Sequence, residues 1–255
     1  MRRRFVVLLA LAGVVLSAGC SHRGCARLKG RVRGATHAAS ATPAASAAPA
    51  ASTVVVPRTP EPIKIDGELE ENAWRDVAAR SGPFHDEVTG AAAIPYSDAR
   101  FLRDDAALYV VLYAADEELR ASVKTHDGPV WLDDAFDLRF TAPGAPEPIS
   151  VIVISVAGVI TDVREGPAGA RDPSWESGTT VAVELDGTLN APVGDAEEWV
   201  VEARIPLASL PGKTVDLAIR RCDTPKGAKR RCGAWRGTLA LDRLVRLRRL
   251  WRPGG

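Results

Sequence analysis

Residues 63–74 read "IKIDGELEENAW". Ile63-Lys64-Ile65 alternates and is β-branched at both ends, which predicts a strand. Asp66-Gly67 is a turn signal. Leu69, Ala73, Trp74 and Val77 then recur at helical spacing, so a short helix over 68–77 is expected, packing Leu69 and Trp74 on a core. A strand, a corner and an aromatic plug are thus the local expectation. The four acids of the stretch have no assigned role at this stage.

Downstream, short β-like runs recur between turn signals: "ARFLRD", "ALYVVLYAAD", "DAFDLRF", "ISVIVISVAG", "VITDVRE", "TTVAVELDG", "EWVVEARIPL", "VDLAIRR" and "WRGTLAL". Such a series predicts an all-β domain, a mostly antiparallel sandwich or barrel with short helical segments. "ALYVVLY" and "ISVIVISV" are continuously apolar and expected to be central. "TVAVEL" and "WVVEARI" partly alternate, as strands with one wet face do. No repeat of fixed period is present.

The net charge of +1 conceals an asymmetry. Eight of the 33 Lys/Arg lie in residues 1–34 and five in 243–255, with no acid in either segment. The twenty that remain face all 32 acidic residues, a net of −12 for the middle of the chain. An acidic body argues against nucleic acid, whose phosphates need a cationic face.

The N-terminus reads as a targeting segment. "MRRR" is a charged start, and "FVVLLALAGVVL" is too short to span a bilayer and suits an export signal. "LSAGC" resembles a bacterial lipobox, with Ser17 standing where that motif usually has Leu. The resemblance implies cleavage before Cys20 and lipid on its thiol; the alternative is an ordinary cleaved signal. Ser21, rather than Asp, implies sorting to the outer membrane, on its periplasmic or surface side. The expected organisation is therefore a signal peptide over 1–19 and a basic, then Ala/Ser/Pro-rich tether over 20–53. A β-sandwich over 54–242 and a basic tail over 243–255 complete it. The tail places Leu244, Leu247, Leu250 and Trp251 at helical spacing, either packed on the domain or lying on a membrane surface.

Export decides how the cysteines are read. Cys222 and Cys232 can pair outside the cytosol across "CDTPKGAKRRC". A zinc site there lacks both CxxC spacing and a nearby His. Cys25 pairs with Cys20 if the lipid is absent, or remains a thiol.

Four segments, in order, resemble the family 9 carbohydrate-binding modules and the wider DOMON-like sandwich group. They are "IKIDGELEENAW", "DDAALYVVLYAAD" (104–116), "GPVWLDDAFDLRF" (128–140) and "EWVVEARIPLASL" (198–210). The resemblance implies an immunoglobulin- or jelly-roll-like sandwich in which Asp66-Gly67 turns the first corner and Trp74 plugs it. It also implies non-catalytic binding of an oligo- or polysaccharide. Tryptophans would stack on a sugar ring and polar groups would meet its hydroxyls, since a pyranose offers C–H faces and directed O–H groups.

Trp131, in a Pro/Gly-flanked approach to a strand, and Trp175, in the polar loop "ARDPSWESG", are the candidate platforms, with Trp235 a third. Trp74 and Trp199 sit in apolar motifs and are expected in the core. Asp133 and Asp137, the latter where the family has Glu, are candidates for sugar hydroxyls. So are Arg220 and Arg221, whose forks suit hydroxyls or a carboxylate. Asp116 and Asp134 are candidates for a calcium ion, which takes hard oxygen ligands. Their competing role is turn formation.

Other readings define tests. Adjacent Asp133 and Asp134 on a strand point to opposite faces and make poor glycosidase partners. No GxSxG, HExxH or GxxxxGK[ST] occurs, so the chain is read as no enzyme, even if it serves a glycoside-hydrolase system in carbohydrate breakdown. Haem held by Met is excluded because Met1 is the only methionine. A bis-His haem would need His85 and His126. The remaining rival is an envelope scaffold or partner-binding lipoprotein that keeps the fold without sugar binding.

Overall fold

The computed structural model describes residues 52–242. The expected signal segment, Cys20, Cys25, nearly all of the expected tether and the basic tail lie outside these residues. The described residues form thirteen strands: β1 Ser52–Val55, β2 Ala79–Arg80, β3 His85–Asp86, β4 Ser97–Arg103, β5 Ala107–Ala115, β6 Ala135–Thr141 and β7 Ile149–Ser155. They continue with β8 Ile160–Glu165, β9 Arg171–Asp172, β10 Thr180–Asp186, β11 Glu198–Pro206, β12 Thr214–Asp223 and β13 Arg231–Ala240. All nine strand-like runs of the sequence are strands. One sheet runs β1-β13-β12-β6-β7-β8-β9, with β3 also on β13; the other runs β10-β11-β5-β4-β2. Only β1 against β13 is parallel among the described strand pairs. The domain is an all-β sandwich, and no described helix is long and apolar enough to cross a membrane.

Side-chain alternation builds the core. Leu108, Val110 and Leu112 of β5 and Trp199, Val201 and Ile205 of β11 join one buried cluster with Phe136, Leu138 and Phe140 of β6 and Leu217 and Ile219 of β12. The ring centroids of Phe136 and Trp199 lie 4.9 Å apart across the two sheets. The opposite face of β5 and β11 is also covered: Tyr109, Val111 and Val200 pack with Trp74, Leu69, Ile63 and Ile65. Burial on both faces explains why "ALYVVLY" is continuously apolar. On the outer face of the larger sheet, Val151, Val153 and Val163 pack under Val130 and Val123 of the preceding loop.

The opening stretch differs from its expectation in two respects. Ile63–Ile65 is extended but forms no strand, and the helix is a single turn, α1 Asn72–Asp76. The reason lies in its acids. Without a sheet partner, backbone N–H groups need other acceptors, and carboxylates supply them. Glu71 Oε1 accepts from Lys64 N at 3.0 Å, Glu61 Oε1 from Ala73 N at 2.9 Å and Asp66 Oδ1 from Glu68 N at 3.1 Å. The central acceptor is buried Glu202 on β11. Its Oε2 accepts from Asp66 N (3.2 Å) and Gly67 N (3.3 Å), and its Oε1 from Trp74 Nε1 (2.9 Å). Burial pushes the Glu202 carboxyl upward although these three donors pull it down. Gly67 has φ +88°, and a Cβ there would meet the β10 backbone at 3.2 Å, so the corner requires glycine on both counts.

Cys222 and Cys232 are directly opposed on β12 and β13 and joined by a disulfide. Closing so short a loop restrains the unfolded chain by about 3 kcal/mol. Reduction, or paired substitution of Cys222 and Cys232 by serine, is expected to lower the melting temperature by roughly 6–12 °C. An unchanged calorimetric midpoint would show that the strand pairing alone holds this hairpin.

Candidate functional site

Loops at one end of the sandwich carry most of the candidate residues. Residues 116–134 leave β5 and enter β6 through a short turn, Val130–Leu132, that displays Trp131. Trp131 is 44% exposed. It is exposed by construction, because the residues around it are pinned. Asp133 Oδ1 accepts from Ser122 N (2.8 Å) and Ser122 Oγ (3.0 Å), and its Oδ2 accepts from Val123 N (3.1 Å). Asp133 is thus buried and committed to the loop.

Asp134 faces the other way. Its Oδ1 accepts from Thr224 N and its Oδ2 from Arg120 N, both at 2.7 Å. This joins the Trp131 turn to the disulfide loop after β12. Around Asp134, the structure brings Asp116 and Asp223 together, with their carboxylate oxygens within 4.8 Å of one another, and all three buried. Arg221, 3% exposed, lies against them: Nη2 is 2.6 Å from Asp116 Oδ2 and Nη1 is 3.8 Å from Asp223 Oδ2. Arg231 Nη2 is 2.5 Å from Asp223 Oδ2. Burial raises Asp116 despite Arg221, and burial pushes Asp134 up to about 7, helped by the Asp116 and Asp223 charges.

Sequence reasoning paired Asp116 with Asp134 but missed Asp223, whose only signal was its place beside Cys222. The cluster does not fit a calcium cage. Calcium wants six to eight oxygens free to point at it. Here Asp116 accepts from Glu118 N, Trp199 Nε1 and Arg221, and each Asp134 oxygen accepts from a backbone N–H. A guanidinium already lies against two of the three carboxylates. Arg221 therefore belongs to the interior, where its fork meets the Asp116 carboxylate.

Beside this cluster opens a cleft of ≈ 710 Å³. Asp116, Glu118, Asp223, Lys226 and Arg231 line it, with Val193 and Ile94 among its apolar walls. Glu118 Oε2 accepts from Lys226 N at 2.8 Å and Arg120 donates to Oε1 at 2.6 Å, so the charged floor is ordered.

Asp137 and Arg220 sit elsewhere. They are register partners on β6 and β12, on the outer face of the larger sheet. Burial raises Asp137 against the pull of Arg139, whose Nε lies 3.1 Å from Asp137 Oδ1. Arg220 Nε donates to Glu87 Oε2 at 2.7 Å. Trp175 is half-buried beside β8, with Arg164 4.8 Å above its ring centroid. One of its faces is thus occupied by a cation. The chain nevertheless links it to Trp131's loop, because Glu176 Oε2 lies 3.1 Å from His126 Nε2. Trp235 is buried, 5.6 Å from Phe101, and is core rather than platform; its register partner Ile219 is itself a core residue.

The fold that carries this loop cluster is a two-sheet β-sandwich. Among solved structures the chain is similar to a Bacteroides uniformis protein assigned provisionally to carbohydrate binding. The likeness has 14% identity and a TM-score of 0.58, covering 74% of this chain and 99% of that one. It is also similar to a family 9 carbohydrate-binding module of Caldicellulosiruptor kristjanssonii. The cellotriose complex gives 17% identity and a TM-score of 0.52, covering 74% and 93% of the two chains. The glucose complex gives 18% identity and 0.50, covering 75% and 96%. No family model matches the chain, and no curated relative does. At these identities the likeness is one of fold.

Proposed function

We propose that the domain binds a saccharide without catalysis, at the loop end of the sandwich, using Trp131 as the stacking surface and the adjacent charged cleft for hydroxyls. The observation that carries this is an exposed indole held by a buried, fully bonded Asp133. An aromatic presented rigidly loses little entropy on binding. Similar folds bind cellotriose and glucose, which makes cello-oligosaccharides the first ligands to try. Asp133 spends its oxygens on N–H groups of Ser122 and Val123 and Asp134 lies in a buried cluster, so neither is poised as a glycosidase acid. Trp175 contributes one face at most, and Asp137 and Arg220 form a second, separate polar surface. In this reading lipid on Cys20 tethers the module to the outer membrane through the Ala/Ser/Pro-rich spacer.

The test is tryptophan fluorescence during titration with an oligosaccharide panel. A saturable shift is expected, weakened about tenfold or more in Trp131→Ala, the loss of roughly 1.4 kcal/mol of stacking. A flat response across the panel from folded protein would leave the scaffold reading in possession.

A further inference from the structure

A second group of ligating side chains is distinct from the Asp116, Asp134 and Asp223 cluster. His126, Asp127, Asp162 and Glu176 each direct one ligating atom to a common point, with these atoms within 4.8 Å of one another. They come from three places: the loop before Trp131, strand β8 and the segment after β9. His126 Nε2 lies 3.1 Å from Glu176 Oε2, 3.5 Å from Asp127 Oδ2 and 3.7 Å from Asp162 Oδ1. A tetrahedral ion with bonds of 2.0–2.2 Å sets its ligand atoms about 3.3–3.6 Å apart. The three observed distances bracket that edge.

The one buried ligand of the four, Asp162, is arranged so that one oxygen is used for position and the other is left over. Asp162 is 3% exposed on β8. Its Oδ2 accepts from Ser177 N at 2.6 Å, while its Oδ1 is buried and has no hydrogen-bond partner. That orphan oxygen is the one aimed at His126. Leaving a buried carboxylate oxygen unpaired is costly, so it signals a missing partner. Asp127 repeats the pattern: its Oδ1 accepts from Asp162 N at 3.3 Å and its Oδ2 faces the ring. Asp127 holds φ 59°, and a Cβ on neighbouring Gly128 would meet Val123 Cγ1 at 2.6 Å, so the loop is wound tightly around this point. Burial disfavours an imidazolium, but the Glu176 hydrogen bond and the charges of Asp127, Glu176 and Asp162 outweigh it and raise His126.

We infer that His126, Asp127, Asp162 and Glu176 form a binding site for a divalent zinc-type cation that staples the Trp131 loop to β8 and the Trp175 segment. One imidazole with three monodentate carboxylates suits zinc better than calcium or magnesium, which prefer oxygen alone. The site stands apart from the saccharide reading and does not depend on it.

The test is calorimetric titration of the EDTA-stripped protein with Zn²⁺ alone, beside His126→Ala, Glu176→Gln and Asp162→Asn. His126 and Glu176 side chains are more than half exposed, so their variants should melt like the wild type in EDTA. The wild type is expected to show one more tight zinc site than His126→Ala, on the order of 100-fold weaker in the variants. Zinc should also raise the wild-type melting temperature and leave that of His126→Ala unchanged. Equal uptake by wild type and the His126 and Glu176 variants would overturn the site. Calcium binding as tightly as zinc would overturn the choice of ion.

Discussion

Glu202→Ala is expected to destabilise the domain by about 4 kcal/mol, a fall of roughly 10 °C in melting temperature. Three buried or half-buried N–H donors lose their acceptor at once: Asp66 N, Gly67 N and Trp74 Nε1. Each buried donor left unpaired costs about 1–3 kcal/mol, with some relief from water entry. The truncation also opens space beneath Trp74, which has 1% exposure. Glu202→Gln should fall in between. Its amide oxygen can keep one side of the interaction, but its NH₂ turns a donor toward a donor. Chemical denaturation of the three proteins decides this. A loss below about 1 kcal/mol in the alanine variant would mean that Trp74 holds the corner by packing alone. Loss of the corner should expose Ile63, Ile65 and Leu69 together, since all three pack on the same small cluster.

The comparison of sequence with structure turns on where the partners of a residue lie. Strands were legible because β-branched and aromatic runs between turn signals carry their own pattern; "ISVIVISV" needs no distant information to be a strand. Ile63–Ile65 failed for the complementary reason. It alternates like a strand, yet the N–H of Lys64 goes to the Glu71 side chain, and the N–H groups of Asp66 and Gly67 just after it go to Glu202, 136 positions away from Asp66. The "E" of "VVEARI" marks that contact, for an acid inside a run buried on both faces must have a partner. Asp162, the acid inside "VITDVRE", carries the same signal and was read only as strand. Arg220 and Arg221 look equivalent in sequence. Alternation along β12 sends one to solvent and the other to the interior, and only the register against β6 and β13 decides which. Trp235 was ambiguous for the same reason. Trp131 was legible as an exposed aromatic because Pro129 and Gly128 precede it and no apolar pattern claims it.

Arg221→Met should cost about 3–5 kcal/mol at pH 8 and markedly less at pH 5. The substitution keeps much of the volume and removes the cation lying against Asp116 and Asp223. Above neutrality the variant must bury carboxylates opposed by the half-exposed Arg231 and, at longer range, by Arg230. A proton can take the place of the guanidinium, and the intact protein already leans that way. Asp134 is pushed up to about 7 by burial, with the Asp116 charge adding to it, and Asp116 is raised as well. Between about pH 4 and pH 7 the folded chain therefore holds a proton that the unfolded chain has released. The stabilisation that this proton brings is complete below about pH 4 and is lost as pH rises through 7, on the order of 3–4 kcal/mol for Asp134. Removing Arg221 takes away the charge that pulls Asp116 down, so the stability difference between variant and wild type must widen with pH. Adding Asp134→Asn to the variant makes one carboxyl permanently neutral while keeping an oxygen for the N–H of Thr224 or Arg120. It should recover part of the loss at pH 8 and little at pH 5. Urea unfolding at the two pH values measures all three. A penalty that is equal at both would mean that the three acids do not share their charge, and that Arg221 acts through its packing instead.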